Sequence, residues 1–209
     1  MITHAVGLSI GASSSIESGV AVMELSTRKL IYIDKLFSMN DVQLFFNNYT
    51  SLKNSVICIS LPWDNTMLEG KWRVLSKQYQ LIHQDKSRFL NRDNWMQRFS
   101  TRGCELFSSI AEEGADISRF EVYLSRQQLN LYSNYKERSS SDCKFLQSTL
   151  RFKYGFDELP SNMMPMGELE AIVGVLIAEK KAKNETEQIF KFGGLDVINV
   201  VELVKPLNK

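Results

Sequence analysis

Short runs of aliphatic and β-branched residues, separated by turn-prone Ser, Gly and Thr, open the chain: His4–Ile10, Gly19–Leu25 and Leu30–Leu36. Such runs predict strands, and their close spacing predicts a three-stranded antiparallel meander. The period then changes. After Ser38, a candidate N-cap with Asp41 in the first turn, the residues Val42, Phe45, Phe46, Tyr49 and Leu52 recur at helical spacing and predict an amphipathic helix laid on the sheet. Ser55–Leu61 is a continuous apolar run ended by Pro62, the pattern of a strand buried on both faces, expected to run parallel to the first.

The middle of the chain predicts helices over Gly70–Gln80 and Asn94–Glu113, the second with a stripe of Trp95, Phe99, Leu106, Phe107 and Ile110 and with Gly114 as its terminator. Phe120–Leu124 reads as a further short buried strand, followed by helices near Arg126–Tyr132 and Asp142–Phe152 around a polar Ser139–Ser141 linker. Leu169, Ile172, Val173, Leu176 and Ile177, with Pro165 ahead of them, give the clearest helix. Gln188–Phe192 and Val197–Val204 flank Gly193 and Gly194 as a candidate hairpin. A meander placed before the α/β alternation is the element order of the ribonuclease-H-like fold. The expectation is therefore one α/β domain over residues 1–209, with a mixed five-stranded sheet, flanking helices and a helical insertion over roughly 66–118.

Composition narrows the function classes. Lys plus Arg number 25 against 24 Asp plus Glu, so the overall charge neither advertises nor opposes a polyanionic partner, and nucleic-acid binding would need a local patch. The three cysteines, Cys58, Cys104 and Cys143, are widely spaced with no Cys-x-x-Cys pair, which fits neither a disulfide framework nor a zinc site and points to a reducing, cytoplasmic setting. The longest apolar run, Ala171–Ala178, is far too short for a membrane span, so no membrane partner is expected. No feature sets the oligomeric state.

A ribonuclease-H-like enzyme needs carboxylates converging on one sheet edge, because Mg²⁺ or Mn²⁺ takes oxygen ligands and clamps the attacking and leaving oxygens of a phosphate. Gly7-Leu8-Ser9-Ile10-Gly11 with Gly19-Val20-Ala21, Ile59-Ser60-Leu61-Pro62, Glu121-Val122-Tyr123 and Glu168-Leu169-Glu170-Ala171-Ile172 together resemble the motifs of the predicted ribonuclease-H-like nucleases known as domain-of-unknown-function family 429. The resemblance runs over most of the chain and departs at two acids: Ser9 and Ser60 stand where the family carries aspartate. It implies that Glu121 and Glu170 are the candidate metal ligands and catalytic carboxylates, with Glu168 beside them. Two neutral hydroxyls in place of acids weaken any hold on a divalent cation, although Asp64 or Glu17 could rebuild part of the cluster.

Lys86, Arg88, Arg92, Arg98 and Arg102, interleaved with Phe89, Trp95 and Phe99, could grip phosphates and stack bases; the plainer alternative is a core of aromatics under solvated arginines. The Gly11-Ala12-Ser13-Ser14-Ser15 turn could cradle phosphate as in actin-like sugar kinases, but the chain has room for little more than one of the two lobes such kinases close around a nucleotide. His4 and His83 sit in no nucleophile motif, and Met163, Met164 and Met166 read as core plugs. The functional expectation is a ribonuclease-H-like protein with a degraded acidic site, acting as a non-catalytic binding or interaction module with nucleic acid as a candidate partner. The alternatives are a residual Mg²⁺- or Mn²⁺-dependent nuclease using Glu121, Glu170 and Asp64, and a component that contacts only another protein.

Overall fold

In a computed structural model, residues 1–10, 18–37, 39–60, 110, 114–136, 138–192 and 195–200 are described. Strands β1 (His4–Ser9), β2 (Ser18–Glu24) and β3 (Lys29–Leu36) form the expected meander, and helix α1 (Met39–Asn48) with a short 3₁₀ turn leads into β4 (Ser55–Ser60). Then follow β5 (Asp116–Arg119), α2 (Val122–Gln128), α3 (Ser140–Tyr154), α4 (Met166–Ala182), β6 (Thr186–Phe192) and β7 (Leu195–Val200). The strands build one seven-stranded sheet in the order β3-β2-β1-β4-β5-β7-β6. β4 runs parallel to β1, β5 to β4 and β7 to β5. An antiparallel β1–β3 meander continued by parallel strands is the ribonuclease-H-like arrangement, and the C-terminal hairpin widens the expected sheet by pairing β7 with β5. Of the insertion expected over roughly 66–118, residues 110 and 114–118 are described; the helix expected over 70–80 and, apart from Ile110, that over 94–113 lie outside the described residues. Gly114, the expected terminator, adopts a left-handed φ of 93°.

One expectation is corrected. The strand read over Phe120–Leu124 lies earlier, at Asp116–Arg119, inside the range assigned to the insertion, and Val122 begins a helix. Val and Tyr favour strands, but Phe120 N donates to Ile59 O at 3.0 Å as the last rung beside β4, and Glu121 then turns the chain by capping α2. The Ser139–Ser141 stretch is likewise not a linker: Ser139 Oγ accepts from Asp142 N and starts α3.

One face of the sheet is covered by α1, with Val42 and Phe46 against Val6, Leu8, Val20, Ile57 and Ile59. The other face carries α4, which the sequence suggested would present one apolar stripe. It is buried nearly all round, from Leu169 through Glu179, because the sheet lies on one side and α2 and α3 on the other. Cys58 and Cys143 are buried free thiols, and burial pushes the Cys58 thiol up to about 12, so it stays unreactive. Among the described residues no helix is long and apolar enough to cross a membrane.

The helix can lie this close only because two strand residues lack side chains. A Cβ on Gly7 would stand 1.9 Å from Ala171 O, and one on Gly19 would stand 2.2 Å from Gly167 O. Both obstacles are helix backbone and cannot rotate away. At its far end α4 is tied by Arg28 Nε to Glu179 Oε1 at 2.8 Å and by Lys181 Nζ to Ser118 Oγ at 2.6 Å.

Helices α2 and α3 are joined by a loop wrapped around one buried carboxylate. Asp142 accepts from Arg126 Nη2 at 2.6 Å, Arg126 Nη1 at 3.1 Å, Ser133 Oγ at 2.7 Å and Arg138 N at 3.1 Å. Burial pushes the Asp142 carboxyl up, but the Arg126 guanidinium and the Ser133 hydroxyl outweigh it and hold the acid below its usual range.

Two predictions follow from this packing. Gly7→Ala and Gly19→Ala each force α4 off the sheet and lower stability by about 2 kcal/mol or more, read as a fall in the urea midpoint; an unchanged midpoint contradicts the close approach. Asp142→Asn strands Arg126 in the interior and lowers stability at pH 7 by about 3 kcal/mol or more. Because the folded-state pKa of Asp142 is depressed, its contribution is complete above the unfolded value of about 3.9 and is lost as pH falls through the folded value. The gap between wild type and variant in urea unfolding therefore narrows below about pH 4; a gap independent of pH shows that this carboxylate's charge is not what holds the loop.

Candidate functional site

Side chains alternate along a strand, so Ser9, two residues after Gly7, faces the α4 side of the sheet. Its register partners are Gly19 on β2 and Ser60 on β4. With no side chain at Gly19, the first turn of α4 descends against the strand ends and brings Glu170 over Ser9. Ser9 Oγ donates to Glu170 Oε2 at 2.7 Å, and both residues are about 5 % exposed or less. Ser60, the neighbour of Ser9 across the parallel pair, is half-buried.

A cation completes the set from the other side. Arg138 Nη1 lies 3.3 Å from Glu170 Oε1, and the Arg138 side chain is 42 % exposed while the acid is buried. Arg138 has a left-handed φ of 58°, which costs a non-glycine residue energy, and its N–H bond to Asp142 helps to hold that backbone in place. The order is thus Arg126, Asp142, Arg138, Glu170 and Ser9, with charges alternating from the buried interior to the sheet edge.

The residues singled out in the sequence fare differently. Ser9, Ser60 and Glu170 are gathered at the C-terminal ends of β1 and β4. Glu121 follows β5 at the same edge, but its Oε2 accepts from Leu124 N at 2.6 Å as the N-cap of α2, so this oxygen is occupied by the backbone. Glu168 is in the first turn of α4, half-buried and about 200° round the helix from Glu170. Asp64, Glu17, Arg88, Arg92, Arg98 and Arg102 lie outside the described residues. Sequence reasoning missed Arg126, Ser133, Arg138 and Asp142. For Asp142 a signal existed, since Ser139-Ser140-Ser141-Asp142 has the spacing of an N-cap with an acid three residues on.

Among the described residues, the candidate donors offer little to the metal pair of a ribonuclease-H-like nuclease. Ser9 and Ser60 are neutral hydroxyls, Glu170 accepts from a hydroxyl and is ion-paired with a guanidinium, and one oxygen of Glu121 caps a helix. Among the described residues, no group of three or more His, Cys, Asp or Glu side chains is placed to hold a metal ion.

No family model matches the chain, and no curated protein does. Among solved structures it is similar to T. thermophilus RuvC in complex with a Holliday junction substrate, at 10 % identity and a TM-score of 0.43, covering 87 % of this chain and 96 % of that one.

Proposed function

We propose that this protein is a divergent relative of the family 429 ribonuclease-H-like nucleases that no longer cleaves phosphodiesters and serves as a nucleic-acid-binding module. The observation that carries the reading is the closed set Ser9–Glu170–Arg138. The buried carboxylate matched to the family's late-helix acid accepts on one oxygen from a serine standing where the family has aspartate, and its other oxygen is ion-paired with an arginine at 3.3 Å. Metal-assisted hydrolysis requires ions that lower the pKa of a water and clamp two phosphate oxygens. Ser9 and Ser60 offer such ions no charge. Binding, by contrast, needs cationic and aromatic side chains, which the Lys86–Arg102 stretch supplies in sequence and Arg138 supplies at the sheet edge.

Calorimetric titration of the purified protein with Mn²⁺ or Mg²⁺ is expected to show no binding that depends on these carboxylates. Wild type and the Glu121→Gln/Glu170→Gln variant should behave alike, and neither should hydrolyse single or double strands. Binding at micromolar to low-millimolar metal that the double substitution removes, together with metal-dependent cleavage, overturns the non-catalytic reading. Fluorescence anisotropy with labelled strands is expected to show binding at low salt that weakens steeply as salt rises. No binding to either strand type at low salt overturns the nucleic-acid assignment and turns attention to a protein partner.

A further inference from the structure

We infer that Arg138 takes the place of the metal in this site, bridging Glu170 to a backbone phosphate of a bound nucleic-acid strand without any divalent ion. The inference rests on the nucleic-acid reading above and names the group that holds the phosphate.

The geometry has three parts. First, the cation meets the carboxylate that the family resemblance implies as a metal ligand: Glu170 Oε1 is ion-paired with Arg138 Nη1 while Oε2 accepts from Ser9. Secondly, the guanidinium is only partly used. It has five N–H donors in a planar fork, of which the ion pair with Glu170 engages Nη1, and the side chain is 42 % exposed, so donors remain for a phosphate. Thirdly, it is pre-positioned. Asp142 holds both ends of the Ser133–Arg138 segment, through Ser133 Oγ and Arg138 N, and Asp142 is itself locked by Arg126. The same clamped segment carries Lys136 and the exposed Tyr135, 55 % accessible, a second cation and a stacking surface within three residues of Arg138.

In a metal enzyme, a divalent ion attracts both a carboxylate and a phosphate and so joins two anions that would otherwise repel. A guanidinium between Glu170 and the strand does the same with a single fixed charge. Ser9 fits this arrangement because it donates to Glu170 without adding an anion, whereas an aspartate there would set two carboxylates against one arginine.

The test is anisotropy of a labelled single strand and a labelled duplex, with EDTA and with Mg²⁺, for wild type, Arg138→Gln, Arg138→Lys and the far-edge control Lys29→Gln. Wild-type binding should be at least as tight with EDTA as with Mg²⁺, which competes for phosphate as a counterion, and binding that requires Mg²⁺ overturns the inference. Arg138→Gln should raise the Kd about fivefold or more and reduce the slope of log K against log salt by about 0.7 for a single strand or 0.9 for a duplex. Arg138→Lys should recover part of the loss and Lys29→Gln should match wild type. Arg138→Gln keeps the backbone bond to Asp142, and an unfolding midpoint near that of wild type confirms that it is folded. If wild type binds but Arg138→Gln binds equally well with an unchanged salt slope, this inference is wrong and the nucleic-acid reading stands. If wild type fails to bind, both fall. Displacement of the strand by a mononucleotide at equal phosphate concentration overturns the strand as the source of the phosphate. A separate readout needs no nucleic acid: Ser9→Asp/Arg138→Gln, with the guanidinium removed and a carboxylate restored, should bind Mn²⁺ at millimolar concentration where wild type does not. No binding by this variant shows that Arg138 does not occupy the cation's position.

Discussion

Direct contact between the backbone of a helix and the backbone of a sheet is the constraint on which the site depends. Helices normally stand off a sheet by the thickness of two side-chain layers. Here Gly7 and Gly19 remove one of those layers beneath Ala171 and Gly167. The descent does two things together. It buries α4 between the sheet and two further helices, and it drives the first turns of α4 into the strand ends, where a carboxylate at position 170 has nowhere to go but against Ser9. A buried acid is costly unless it is paired and hydrogen-bonded, so its neighbours follow from its position. Ser9 supplies the hydrogen bond and Arg138 the opposite charge.

Arg138 has its own requirements, and these organise the α2–α3 region. It lies in a left-handed conformation in a loop, and a long side chain on a free loop would sample many orientations. Asp142 limits that freedom by holding the Arg138 N–H, and Arg126 in turn balances Asp142 in the interior. A buried arginine–aspartate pair contributes little net stability against a well-packed apolar replacement. Its value lies elsewhere: it fixes the geometry of one half-exposed cation. The corresponding tie at the other end of α4, where Glu179 meets Arg28 and Lys183, holds the helix along its axis.

The elements buried on both faces were the most legible in the sequence. β1, β2, β4 and α4 must be apolar over their length, and such runs are visible without knowing what covers them. Glu121-Val122-Tyr123 reads as strand in the sequence because β-branched and aromatic residues suit one, while in the fold Glu121 caps a helix directly after Phe120 has bonded to Ile59 O. Ser139-Ser140-Ser141-Asp142 shows the same ambiguity in reverse: serines mark linkers and helix caps alike, and which they are depends on Arg126, 16 residues from Asp142. Ser9 could be recognised as a departure from an acidic pattern, but its partner is 161 residues away and only the fold brings them together. Arg138 had no signal at all. A single arginine in a polar stretch takes its meaning from what it faces, and periodicity contains no such information.

Replacing a metal by a guanidinium changes what a site can do as well as what it holds. A divalent ion can take several oxygens into its coordination sphere, including a water whose proton it makes easier to lose, and that water is the nucleophile in phosphodiester hydrolysis. A guanidinium offers directional hydrogen bonds to oxygens in one plane and activates no water. In the proposed reading Glu170 serves as an anchor rather than as a general base, with its two oxygens turned to Ser9 and Arg138. On that reading, the arrangement keeps attraction for a phosphate without the ions that break its ester bond. Holding a strand without cutting it then follows from the serines that stand where the family resemblance implies acids, and the close helix presents at position 170 an anchor for an arginine.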